Sequence, residues 1–398
     1  MRKRKILITG VMTGTSGDGV DISLLSFSGG RNPDWAALEC ASYPFPRKLH
    51  EEIIRFQEKR ELSKREYLRF CAAHGNFVGV KVAGFIEKRF GNRPLSNAAI
   101  AYHGQTIAHY PERERVGKGR YSFTLQAGDA SVVSRITGLT VVSDFRRADV
   151  AAGGSGAPLA PPFHALLLKG VKKTSAFLNI GGIGNITIVR NGKVVTASDT
   201  GPGNMLLDGA VKFYTGGRKT FDRGGKIAMK GTPSRGLLRF IEERDGFLKK
   251  KKPASTGRET YGEKLLGKIL SNARKRGLSG EDVIATLTYY TASCVARFLG
   301  EMGAHPLSCL YVGGGGAKND ALMSALAGLV PAGSVVTSRG TKVAPDFVES
   351  AAFAYLGYLC LAGIPVDTSS FTGGGKSILG RITPGTNFQS LMRYLHRR

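Results

Sequence analysis

Residues 176–208 read AFLNIGGIGNITIVRNGKVVTASDTGPGNMLLD, and the fold of the chain is legible from them. The apolar run from Ala176 to Ile180 is short enough for a buried strand. A glycine turn follows (Gly181, Gly182, Ile183, Gly184), then an alternating strand from Asn185 to Val189. Asn191-Gly192 signals a hairpin, because both central turn positions need positive φ. A third strand, Lys193 to Ala197, brings Asp199 to its end, and Asn204 is placed to cap a helix starting at Met205. Such a meander lets backbone N–H groups approach a phosphate at the glycine turn. It also leaves one carboxylate at the mouth for acid–base work.

Taken alone, the glycines fit plain turns as well as they fit a phosphate site. The layout recurs, however, at residues 5–27: KILITGVMTG, TSGDG, then VDISLLSF. The tip from Met12 to Gly19 offers amides for phosphate oxygens and Asp18 for a magnesium ion, although Asp18-Gly19 equally suits a plain turn. Each hairpin is followed by a mixed strand-and-helix region of similar size. Two such halves predict a two-domain α/β protein of actin-like (ribonuclease H-like) architecture, with a nucleotide cleft between the domains. The expected boundaries are 1–143, completed by the tail 378–398, and 144–377.

The composition agrees with a globular protein: 398 residues, 42% hydrophobic and 22% charged. Its 54 glycines are well above the usual ~7%, with no collagen-like period. No apolar run reaches the ~18 residues of a membrane span. The basic start MRKRK soon turns polar and reads poorly as a signal peptide, so a cytoplasmic protein without membrane contact is expected. Five scattered cysteines, never in CxxC spacing, read as reduced structural thiols. The formal charge of +27 raises the question of nucleic acid, but no nucleic-acid motif accompanies it. Nucleic acid is therefore not expected as a partner, and Lys249–Lys252 reads as a solvated loop.

Apolar spacing near 3.6 predicts helices at 47–59 and 63–90, the second interrupted near Gly75, and a long one at 281–301. A strand at 97–101 delivers His103 and Gln105 to its end, where they suit ligand contacts. The glycine-rich 151–159 segment reads as an interdomain hinge, and residues 372–380 as a flexible return loop. Ser308–Val312 is a strand running into Gly313–Gly316, and a helix opens at Ala317–Asp320, a good seat for a nucleotide's sugar and phosphates. The spacing is neither GxGxxG nor Walker A.

Nine blocks occur in order from Gly10 to Leu356: GVMTGTSGDGVD, HGQTI, TLQAGD, TVVSDFRRADVAAGGSGAPL, NIGGIGNIT, DTGPGNMLLD, STGRE, VGGGGAKN and VESAAFAYL. Together they resemble the anhydro-N-acetylmuramic acid kinase family, of the actin, sugar kinase and heat-shock chaperone superfamily. The resemblance implies an ATP- and Mg2+-dependent kinase. Such an enzyme hydrolyses the 1,6-anhydro ring of its amino sugar and phosphorylates O6 in peptidoglycan recycling. It implies Asp199 as the base that activates water, as in an inverting glycosidase. The ATP-binding positions it implies are Gly14, Thr15, Ser16, Gly17, Asp18, Gly19, Val20 and Asp21, with Gly181, Gly182 and Gly184. Gly313, Gly314, Gly315 and Asn319 belong near adenosine. Asp18 is the metal-side carboxylate, and His103, Gln105, Asp129, Arg146 and Glu349 line the sugar and metal region. The partner is a small anhydrosugar, and a homodimer is left open.

The sequence departs from the family pattern in places. Gly17 replaces the usual Leu of GTSLDG, which is expected to loosen the tip, and Ser155 stands where Gln is usual. The return segment reads VDTSSFTG instead of NLPxVTGA. The rival readings are a kinase for another anhydrosugar such as levoglucosan, and an actin- or chaperone-type ATP switch. A tRNA-modification relative lacks its close histidine pair here.

Overall fold

The computed structural model describes residues 4–396, except 15, 16, 60, 172, 305, 332, 334 and 338–341. The chain forms two compact units, 1–166 with 347–398 and 167–346. The first opens with strands β1 (Ile6–Thr13), β2 (Gly19–Ser28) and β3 (Asp34–Pro44). Helices α1 (Arg47–Glu58) and α2 (Lys64–Phe90) follow. Then come β4 (Ala98–Val116), β5 (Gly119–Ala127), α3 (Ala130–Thr137), β6 (Thr140–Ser143), α4 (Phe145–Ala151) and α5 (Pro161–Leu167). The helix from 64 runs unbroken through Gly75, whose missing Cβ lets α2 lie against the Asp129 backbone: a Cβ there would sit 2.8 Å from the Asp129 carbonyl oxygen. The strand expected at 97–101 continues far beyond it, pairing with β5 as a long hairpin.

The second unit begins with β7 (Thr174–Ile180), β8 (Ile183–Arg190) and β9 (Lys193–Pro202). Helices α6 (Met205–Tyr214), α7 (Arg235–Arg244), α8 (Arg258–Tyr261), α9 (Glu263–Lys275) and α10 (Gly280–Glu301) come next. The unit closes with β10 (Cys309–Gly313), α11 (Asp320–Leu329) and β11 (Val335–Thr337). The chain returns to the first unit as α12 (Val348–Leu361), β12 (Val366–Asp367), β13 (Lys376–Ser377), β14 (Arg381–Thr383) and α13 (Phe388–His396).

Among the described residues β12 and β13 form a separate two-stranded pair, and the two large sheets repeat one order. In the first unit it is β3-β2-β1-β4-β6, extended by β14 and β5; in the second it is β9-β8-β7-β10-β11. Each begins with an antiparallel meander, and each adds its last two strands parallel to the first. This is the mixed α/β layout that the repeated hairpins predicted. Among the described residues no helix is long and apolar enough to cross a membrane.

The unit boundaries differ from those expected, because α12 belongs to the first unit and not the second. Its small residues let it lie directly on β1 and β4. A Cβ on Gly10 would stand 1.9 Å from the Ser350 carbonyl oxygen, and one on Gly357 would stand 2.6 Å from the Ala101 Cβ. The helix is buried along nearly its whole length, which explains why its apolar pattern lacks a clear face. The 151–159 segment is likewise no free hinge. It folds onto 372–375 of the same unit through Ser155 N–H to the Thr372 carbonyl (3.0 Å) and Gly375 N–H to the Ala152 carbonyl (2.9 Å). Asp149 secures both, accepting from Gly156 N–H (2.8 Å) and the Thr372 hydroxyl (2.8 Å).

Candidate functional site

Asp199 lies on β9 opposite Asn185 of β8, at the end of the meander where the sequence places it. The loop 253–257 is laid against it as if it were an added strand. Asp199 N–H donates to the Ala254 carbonyl (3.0 Å), and Ala254 N–H donates to the Ser198 hydroxyl (3.0 Å). Thr256 N–H donates to Asp199 Oδ2 at 2.8 Å, which fixes the carboxylate's direction. The half-buried carboxyl is pushed from its ordinary 3.8 up to about 7 by burial, against the Thr256 N–H and the Lys252 charge, with Glu259 adding to the rise. A carboxylate half ionised near neutrality is suited to take a proton and give it back.

The glycine turn between β7 and β8 is closed by the loop after β9. Asn204 N–H reaches the Gly181 carbonyl (2.7 Å), and Gly203 N–H reaches the Gly182 carbonyl (2.9 Å). Gly203 is needed for this approach, since a Cβ would fall 2.3 Å from the Gly181 oxygen. Gly182 stays exposed and Gly181 half-buried, whereas Gly184 is buried. Asn204 does not cap α6 as expected; its side-chain amide donates to the Ile180 carbonyl (3.3 Å). At the other corner, Gly314 takes φ 74°, with its Cα face against Asn179 and Ile180, while Gly313 is buried and Gly315 exposed. Asn319 is buried and caps α11, accepting from Leu322 N–H (3.0 Å), so its side-chain oxygen is already engaged.

In the first unit the ends of β1 and β4 are stitched together. The Thr13 hydroxyl donates to the Gly104 carbonyl (2.7 Å), and the Gln105 amide donates to the Gly14 carbonyl (3.0 Å). Gln105 is fully buried and its Oε1 has no protein partner. Thr15 and Ser16 lie outside the described residues. Gly17 takes φ 66° and is buried, with its N–H on the Gly14 carbonyl (3.1 Å). The Leu of the family pattern has no room here, because α1 occupies that space. His50 Nδ1 binds the Gly17 carbonyl (2.8 Å), and Ile53 of α1 fills the space, since a Cβ on Gly17 would lie 2.6 Å from Ile53 Cγ2. Asp18 is exposed, Gly19 and Asp21 are half-buried, and Val20 is in the core.

Arg146 is the centre of the remaining cluster. Its Nε donates to His103 Nε2 (2.8 Å) and its Nη1 to the Gly156 carbonyl (3.3 Å). His103 Nδ1 contacts the Gly104 carbonyl (2.7 Å). A proton on Nδ1 and a lone pair on Nε2 satisfy both contacts, so the ring is the neutral tautomer with neither nitrogen left for a ligand. Burial and the neighbouring guanidinium hold His103 well below its ordinary range. Burial raises the Glu349 carboxyl, Arg146 opposes the rise and Asp21 adds to it, which brings two carboxylates and a guanidinium into one field. Asp129 stands apart as the cap of α3, accepting from Ser131 N–H (2.8 Å) and Val132 N–H (3.3 Å). The Ser155 hydroxyl donates to the Ala157 carbonyl (2.9 Å).

Sequence reasoning passed over Asp149 and Lys252. The first is a fully buried acid in the quoted DFRRADV block. The second was hidden in a basic run whose immediate proximity to Pro253 and STGRE was the available signal.

A family model described as "Anhydro-N-acetylmuramic acid kinase" matches residues 6–385. A relative from Pseudomonas putida carrying that name is 36% identical over 381 residues, covering 95% of this chain and 99% of the relative. One from Pasteurella multocida with the same name is 34% identical over 385 residues, covering 96% and 98%. Among solved structures, the ADPNP-bound activator of a Clostridium difficile 2-hydroxyisocaproyl-CoA dehydratase aligns with TM-score 0.40 at 12% identity. That alignment covers 88% of this chain and 92% of the other.

Proposed function

The chain belongs to the anhydro-N-acetylmuramic acid kinase family, and from this premise we propose that it opens 1,6-anhydro-N-acetylmuramic acid with water and transfers the γ-phosphoryl group of ATP to O6. The observation that carries the reading is Asp199: a carboxylate directed by the Thr256 amide and poised near 7 at the end of β9. It removes a proton from water as the water oxygen bonds to the anomeric carbon. The bond from that carbon to O6 breaks, and O6 takes the phosphoryl group, giving N-acetylmuramic acid 6-phosphate and ADP. O6 needs no base of its own, because ring opening frees it as the nucleophile. The remaining work is positioning and charge neutralisation.

The glycine corners at 14–19, 181–184 and 313–315 are assigned to the nucleotide. The exposed Gly182 and Gly315 leave backbone open to a phosphate's approach. Arg146, held flat by His103 and Gly156, is assigned to the lactyl carboxylate, which a guanidinium can bind with two parallel hydrogen bonds. His103 orients it, and Gln105 supports the phosphate turn through Gly14. Asp129, engaged as the cap of α3, is assigned no ligand contact. Among the described residues no cluster of three or more His, Cys, Asp and Glu makes a protein-only metal cage. Mg2+ in kinases uses one or two carboxylates with phosphate and water, and exposed Asp18 is assigned as its carboxylate here. When bound, the ion would neutralise phosphate charge. We place the reaction in the cytoplasm, where ATP is available, as a step of peptidoglycan recycling.

Turnover with ATP/Mg2+ and 1,6-anhydro-N-acetylmuramic acid, levoglucosan or no sugar tests this reading. A 6-phosphate formed only from the amino sugar is expected. Preference for levoglucosan would refute the substrate assignment, and sugar-independent ATP turnover would refute the kinase chemistry.

A further inference from the structure

The basic run 249–252 does not behave as one solvated stretch. Lys249, Lys250 and Lys251 are exposed, but Lys252 turns inward and is half-buried. Its Nζ donates to the Phe247 carbonyl at 3.1 Å and lies 3.2 Å from the centroid of the Phe247 ring. A cation over a ring face gains electrostatic attraction, more so when partly desolvated. Phe247 is itself immobilised. Its side chain is in the core, and its N–H donates to Asp245 Oδ1 at 2.8 Å. Asp245 Oδ2 accepts from the Tyr261 hydroxyl (2.6 Å) and also from the Tyr290 hydroxyl of α10. Asp245 is almost completely buried, so these donors satisfy oxygens that water does not reach.

This hub grips both ends of one segment, Phe247 on one side and Tyr261 on the other. Between them lies the loop whose Ala254 and Thr256 bind the backbone and carboxylate of Asp199. Lys252 stands two residues before Ala254 and shares an electrostatic field with Asp199. We infer that Lys252 is a positioning residue for the base: clipped to Phe247 and anchored through the Asp245–Tyr261–Tyr290 hub, it stabilises the ionised Asp199 carboxylate. The inference rests on Asp199 being the base.

Asp199 feels the charges of Lys252 and Glu259 and interacts with the Tyr261 hydroxyl. Lys252 feels the charges of Glu301, Asp245 and Asp199, with a smaller influence from Cys294. Burial pulls the Lys252 ammonium down, and the three carboxylates oppose this. The cation opposes the burial that keeps Asp199 protonated, whereas Glu259 works with it.

The test compares wild type with Lys252→Met, Lys252→Gln and Lys252→Arg in two measurements. One is the 13C titration of the Asp199 carboxyl, assigned by its loss in Asp199→Asn. The other is the pH profile of kcat/KM. Met and Gln are expected to move the carboxyl midpoint upward by about half to one pH unit, and the acid limb of kcat/KM with it. Arg is expected to restore both. A lysine that merely supports the loop would lower activity at every pH and leave the limb in place. An unchanged carboxyl midpoint in folded Met and Gln variants overturns the inference and leaves the base assignment intact. A shifted midpoint with an unmoved kinetic limb overturns the base assignment, and Lys252's part in the reaction falls with it.

Discussion

Replacing Asp199 by Asn should inactivate the protein and stabilise it, with the second effect confined to high pH. In the folded chain the Asp199 carboxyl holds its proton up to about 7, against an ordinary value of 3.8. The folded state thus binds a proton that the unfolded chain has already released. The stability tied to that proton is fully present below 3.8 and is lost as pH rises through about 7. Three pH units at ~1.4 kcal/mol each set a ceiling of roughly 4 kcal/mol, and partial exposure of the carboxylate reduces this to about 2 kcal/mol. Asn cannot ionise, yet its side-chain oxygen can still accept from Thr256 N–H. Asp199→Asn should therefore exceed wild type by about 2 kcal/mol near pH 8.5, and by only a few tenths near pH 4. Urea unfolding followed by circular dichroism is the assay, because Trp35, the only tryptophan, lies in the other unit. The same variant should lose about 10²–10⁴-fold in kcat/KM. Equal stability of the two proteins near pH 8.5, or an advantage for Asn that does not change with pH, would refute the account of a buried, proton-holding base.

Glu259→Gln should move the acid limb of kcat/KM downward, since Glu259 adds to the rise at Asp199; a pH–rate profile checks it. Gly17→Leu restores the family's usual residue but places it against Ile53 at positive φ. It should cost about 1–3 kcal/mol, and the double variant with Ile53→Ala should cost less than the sum, read by Trp35 fluorescence during unfolding. His103 should remain the neutral Nδ1–H tautomer between about pH 5 and 8, visible by 15N NMR. His103→Ala should raise KM for the sugar more than it lowers kcat. Gly10→Ala should leave the first unit unable to close on α12, seen as loss of soluble, folded protein.

Short-range rules made much of this molecule readable from its residues. Turn chemistry at Asn191-Gly192 and strand alternation around Gly181 set the meander of the second unit, and the same pattern at 5–27 set that of the first. These features depend on neighbours a few positions apart, and each is visible in a single window. The nine blocks fixed the family, and with it the candidate base. What tertiary structure alone decided involves residues distant in sequence. Ser350 and Gly357 bring α12 onto Gly10 and Ala101, which moves the boundary between the units. Gly17 is packed by His50 and Ile53 of α1, residues more than thirty positions away. His103 Nε2 accepts from Arg146, a partner 43 positions away that no local pattern names. Asp199 acquires its proton affinity from burial under a loop 57 positions further on, and Lys252 acquires its place from an acid and two tyrosines in separate segments. A sequence names the groups that can ionise. Their desolvation and partners, which set whether they do, exist only once the chain has closed around them.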